Sequence, residues 1–134
     1  GRLLPRIGGE TAVWLLERAK APIAEAIRGT RFGEAHGIKE LAKLGSSIVS
    51  QSNQGGEGWL LSAEMISLIE SGVKNVLCVQ PFACLPNHIT GKGVVKELKR
   101  RYEGANILPL DYDASVSTTN QLNRIKLLMA TAKA

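Results

Sequence analysis

Two short apolar runs in the C-terminal half place the strongest limit on what this chain can fold into. The first, VKNVLCVQP at residues 73–81, is almost unbroken, and Pro81 ends it because proline cannot donate to a strand ladder. The second, ANILPLDYD at residues 105–113, follows the amphipathic stretch GKGVVKELKRRYEG. Runs of this kind are typical of strands covered on both faces. The pattern therefore predicts two buried parallel strands joined through a helix.

Helical patterns flank both runs. WLLSAEMISLIESG, residues 59–72, has an apolar stripe and ends at Gly72, where a left-handed helix terminus uses glycine. TTNQLNRIKLLMATA, residues 118–132, has an apolar face through Leu122 and Leu128. The predicted fold is α/β, with a small parallel, doubly wound, Rossmann-like sheet flanked by helices. Two strands make an unusually small sheet, so either the N-terminal half adds packing or the chain is a fragment of a larger protein.

The N-terminal half shows helical periodicity. Apolar residues recur at three- and four-residue steps up to Ile23, which predicts a helix that starts near Glu10 and breaks or kinks at Pro22. A second helical pattern, from Gly33 to about Val49, stops in the polar run SQSNQGGEG. We therefore expect a helical region at residues 1–55 and a sheet region at 56–134. A chain of 134 residues with 44% hydrophobic content should pack both into one domain.

Charge and hydropathy exclude several classes of function. The net charge is +5, but only Lys99, Arg100 and Arg101 are consecutive among the basic residues, which indicates a solvated helix face rather than a nucleic-acid footprint. No apolar stretch reaches the roughly 20 residues that span a bilayer. No secretory leader opens the chain. We therefore expect a cytoplasmic protein with no nucleic-acid or membrane partner.

In open parallel sheets, ligands bind outside the carboxyl ends of the strands. This rule selects the segments QPFACLPNHITGKG and DYDASVSTTN. Cys78 lies within the first apolar run and is predicted to be a small core residue. Cys84 follows Pro81 in a loop, where a thiolate can be exposed near a helix start, so it is either a ligand or nucleophile or a bystander. His88 could complete a zinc set with both cysteines, although zinc sites use closer cysteine pairs, which favours a surface histidine.

Two further groups at these strand ends have alternative interpretations. Gly91, Lys92 and Gly93 resemble an anion cradle at a helix start, because glycines let N–H groups approach an anion and the lysine adds charge. The alternative is a turn that only initiates the helix. Asp111 and Asp113 lie one residue apart at the end of the second strand, where they could bind a cation or cap the final helix.

The segments at residues 56–102 and 107–128 resemble the C-terminal part of CoA-substrate-specific enzyme activases, the large activator-related proteins of (R)-2-hydroxyglutaryl-CoA dehydratase. Through them the chain is similar to the iron–sulfur subunits of 2-hydroxyacyl-CoA dehydratases and benzoyl-CoA reductases. The resemblance rests on the order of helix, strand, Pro-Phe-x-Cys, helix, strand, acidic pair and Gln-x-x-Arg helix. It covers more than half of the chain.

This resemblance implies that Cys84 is one ligand of a [4Fe–4S] cluster in an intact parent protein, and that Gln121 and Arg124 have a structural role. The family's other cluster cysteines and its ATPase half have no counterpart in this sequence, so we expect neither a cluster nor enzymatic activity from this chain alone. The implied partners are other domains of the parent chain, a dehydratase or reductase component, and acyl-CoA. Two alternatives remain open: a scaffold domain in which Cys84 is inert, and a CoA- or anion-binding module that uses Gly91, Lys92 and Gly93.

Overall fold

A computed structural model of the chain describes residues 3–30, 36–113, 115 and 117–133. Over these residues the chain forms five α-helices and one two-stranded parallel sheet. The predicted α/β class with a helical N-terminal half is therefore confirmed. The chain divides into two compact units, residues 1–40 and 41–134. None of the helices described is both long and apolar enough to cross a membrane.

The first unit is built on one long helix, α1 (Leu3–Ile27). The predicted start near Glu10 is wrong, and Pro22 lies inside the helix without ending it. Proline removes one helical hydrogen bond, which leaves the carbonyl of Arg18 without its partner. Arg18 is exposed, so water can satisfy that carbonyl and the helix continues. Gly33, the predicted start of the next helix, lies outside the described residues.

Two more helices follow along the chain. Helix α2 (Ile38–Gly45) starts before the unit boundary and is followed by the predicted polar loop. Helix α3 (Trp59–Glu70) ends as predicted at Gly72, whose φ is +91°. The N–H of Gly72 donates to the carbonyl of Ile69 at 3.0 Å, and that of Val73 donates to Leu68 at 2.9 Å. These two bonds form a Schellman motif, which satisfies the last carbonyls of the helix.

Strands β1 (Asn75–Pro81) and β2 (Asn106–Tyr112) pair in parallel, with Asn75 opposite Asn106 and Pro81 opposite Tyr112. Burial alternates along β1, so Val76, Cys78 and Gln80 face the core while the residues between them are exposed. The expectation that β1 is covered on both faces is wrong. The core lies on the side of α3, and the final helix, α5 (Thr118–Lys133), packs along β2.

The connection between the strands is a helical run that begins at Leu85. It widens into a π-helical turn (Asn87–Gly91), tightens into a 3₁₀ turn (Lys92–Val94) and continues as α4 (Val95–Arg101). Leu98 of α4 is fully buried in the core with Ile66 of α3. The sequence pattern predicts a start at Gly91, whereas the helical run begins six residues earlier.

Candidate functional site

The carboxyl ends of β1 and β2 carry the candidate site, beginning with a tight turn that leads to Cys84. The N–H of Phe82 donates to the carbonyl of Tyr112 at 2.8 Å, which extends the sheet by one bond. The N–H of Cys84 then donates to the carbonyl of Pro81 at 3.2 Å. Ala83 closes this turn with φ +59°, a left-handed conformation that glycine adopts more readily than alanine. The turn places Cys84 at the start of the helical run.

Ala83→Gly should stabilise the protein by about 0.5 kcal/mol. The left-handed conformation costs a non-glycine residue roughly 1–2 kcal/mol, and the greater freedom of glycine in the unfolded chain offsets part of that gain. Ala83 is exposed, so the substitution removes little packing. Urea denaturation measures the change. A loss of stability would contradict the left-handed turn.

Cys84 is half-buried and makes two hydrogen bonds to the helical run. Its thiol donates to Oδ1 of Asn87 at 3.0 Å, and its carbonyl accepts the N–H of His88 at 3.0 Å. Asn87 is itself buried, so its side-chain amide is held beside the sulfur. The thiol therefore has a defined position at the strand end and remains partly accessible.

Cys78 lies in the core, as predicted. It belongs to the same apolar cluster as Val76 and Ile107 and is only 8% exposed. Burial raises the pKa of its thiol, and the negative charge of Asp111 raises it further. Cys78 is therefore a protonated core residue near neutral pH rather than a thiolate ligand.

A zinc set of Cys78, Cys84 and His88 does not form. Cys78 faces the core and Cys84 lies in the turn beyond Pro81, and both are free thiols. Across residues 3–30, 36–113, 115 and 117–133, no group of three or more His, Cys, Asp or Glu side chains could hold a metal ion. Cys84 can thus offer a metal centre one ligand.

Gly91, Lys92 and Gly93 lie within the helical run and not at its start. The N–H of Lys92 is already bonded to the carbonyls of Asn87 and His88. A Cβ atom on Gly91 would lie 2.7 Å from Cδ2 of Leu61, so this glycine lets the run pack closely against α3. The predicted helix start is wrong. The backbone N–H of Lys92 is therefore not free to bind an anion, and the charged Lys92 side chain is what the predicted site retains. Anion binding at these residues stays a prediction.

Lys92 reaches across to β2, where it joins a polar cluster with Asp111 and Gln80. Its Nζ lies 3.3 Å from Oδ2 of Asp111, and Nε2 of Gln80 donates to the other carboxylate oxygen. The Gln80 hydrogen bond lowers the pKa of Asp111 below its ordinary value, and Lys92 and the charge of His88 act in the same direction. We call Gln80, Lys92 and Asp111 the strand-end cluster.

Gln80 is the fully buried member of the strand-end cluster. The side chain is 1% exposed, and its Oε1 atom has no hydrogen-bond partner among the described residues. That oxygen is 3.6 Å from where a Cβ atom on Gly91 would stand. It therefore lies against buried backbone, on the side of the amide away from Asp111.

The two aspartates have separate partners. Asp111 belongs to the strand-end cluster, whereas Asp113 accepts hydrogen bonds from the N–H and the hydroxyl of Ser115, the latter at 2.6 Å. The Asp113 contacts form a local turn of the kind that short polar side chains make after a strand. The cation site and the helix cap that their spacing allows stay predictions.

Gln121 and Arg124 attach α5 to β2. Nη2 of Arg124 donates to the carbonyl of Pro109 at 2.7 Å, and Nε2 of Gln121 donates to the carbonyl of Asp111 at 3.4 Å. The backbone N and O atoms of one strand residue point to the same edge of the sheet. Because the oxygen of Pro109 accepts from Arg124 of α5, the nitrogen of Pro109 also points away from β1. Its missing N–H consequently costs the sheet no ladder bond. Both contacts hold α5 against β2, which is a structural role.

Arg124→Ala should lower the free energy of unfolding by about 1 kcal/mol, because it removes a charge-assisted bond to the partly buried edge of β2. Lys126→Ala, an exposed position on the same helix, provides the matched control and should change the stability by less than about 0.5 kcal/mol. Equal effects of both substitutions in denaturant unfolding would show that Arg124 does not anchor α5.

Sequence reasoning missed two residues of the site, Gln80 and Asn87. Gln80 was detectable, since it follows Val76 and Cys78 at two-residue steps and must share their buried face. Asn87 was not detectable, because its position beside Cys84 depends on helical structure that the sequence pattern does not predict for this segment.

Comparisons of this chain with protein-family models, curated proteins and solved structures found no match.

Proposed function

We propose that this chain is a domain of an iron–sulfur protein related to the activators of 2-hydroxyacyl-CoA dehydratases, and that it supplies Cys84 to a [4Fe–4S] cluster. One observation carries the proposal. Of the two cysteines, Cys84 is the partly accessible one, and it stands at the carboxyl end of a parallel strand, where such sheets bind ligands.

Cys84 lies at the start of a helical run and beside a buried amide. It immediately precedes a helical run whose first N–H groups supply positive partial charge. A bond from the sulfur to iron would replace the proton that the thiol donates to Asn87, and a half-turn of the Asn87 amide would then bring its NH₂ group to the sulfur. Hydrogen bonds to cluster sulfurs are one of the factors that set a cluster's reduction potential.

One thiolate does not fit a four-iron cluster, which takes four cysteine ligands. Among the described residues, Cys84 belongs to no group of three or more side chains that could hold a metal ion. The proposal therefore requires ligands from other domains of a parent chain, and it assigns no reaction step to the residues of this chain. The parent would act in the cytoplasm under anaerobic conditions, with a dehydratase or reductase component and an acyl-CoA as its partners.

The test uses the natural polypeptide that contains this sequence, purified without oxygen. We expect the wild type to hold iron and acid-labile sulfide and to absorb in the visible range, and Cys84→Ser to lose most of all three signals. Serine is favoured immediately before a helix, so the fold should survive the substitution, which circular dichroism checks. Cys78→Ala is the matched control and should keep the iron, because Cys78 is a core residue.

Two outcomes would overturn the proposal. An iron-free wild type, prepared anaerobically, would favour the alternative of a scaffold domain with an inert Cys84. A Cys84→Ser protein that keeps the iron content and the spectrum of the wild type would show that a cluster exists but does not use this sulfur.

A further inference from the structure

We draw no further inference here: the strongest candidate, the exposed apolar strip formed by Leu77 and Val79 on the outer face of β1 and continued by Phe82 in the following turn, carries nothing because no feature of the structure shows what covers it.

Discussion

Gly58→Ala should lower the free energy of unfolding by about 3 kcal/mol, since it combines backbone strain with overpacking. Gly58 stands just before α3 with φ +51° and ψ −131°, a conformation that is unfavourable for any residue with a Cβ atom. A Cβ atom there would lie 2.0 Å from the carbonyl oxygen of Asn53. The same oxygen accepts the N–H of Trp59 at 2.9 Å, so it cannot move away without losing that bond. Denaturant unfolding followed by circular dichroism measures the loss.

Gly72→Ala separates the two contributions. Gly72 also has a positive φ, at +91°, but a Cβ atom there would meet nothing within 4 Å. The substitution should therefore cost only the conformational strain, about 1 kcal/mol. If Gly58→Ala were no more destabilising than Gly72→Ala, the loop from Asn53 to Gly58 would have to relax freely, and the close approach to Asn53 would not constrain the fold.

The strands and most helices could be predicted because their patterns are local. β1 ends at Pro81 and α3 ends just before Gly72, and both residues are recognisable in the sequence without knowledge of distant contacts. The one-sided burial of β1 could not be predicted in the same way. Its outward residues Leu77 and Val79 are as apolar as the inward ones, so the alternation that marks a half-exposed strand is hidden.

Part of the candidate site depends on structure that sequence patterns do not reveal. The first turn of a helix needs no N–H at the position of Pro86, so proline does not prevent a helix from starting there. The helical run therefore starts at Leu85, before Pro86, and Lys92 lies two turns inside it. The contact of Lys92 with Asp111 joins residues 19 positions apart and follows from that earlier start. The position of Cys84, by contrast, followed from Pro81 alone.

Asp111→Ala should lower the free energy of unfolding by about 2 kcal/mol. The buried Gln80 amide loses its acceptor, and a buried donor left without one costs about 1–3 kcal/mol. Lys92→Ala tests the other contact of the carboxylate. The Lys92 side chain is 47% exposed, so its ion pair should contribute only about 0.5 kcal/mol. If the two substitutions cost the same, the Gln80 hydrogen bond would not be the main contact of Asp111.

The pH dependence of the stability tests the Asp111 contacts in a second way. The pKa of Asp111 is lower in the folded protein than its ordinary value of 3.8. A carboxyl group of this kind binds its proton more readily in the unfolded chain, so its stabilising effect is complete above pH 3.8 and is lost as the pH falls through the folded value. The difference in stability between wild type and Asp111→Ala should therefore be constant near neutral pH and shrink in acid. A difference as large in acid as at neutral pH would show that the Asp111 charge does not stabilise the strand-end cluster.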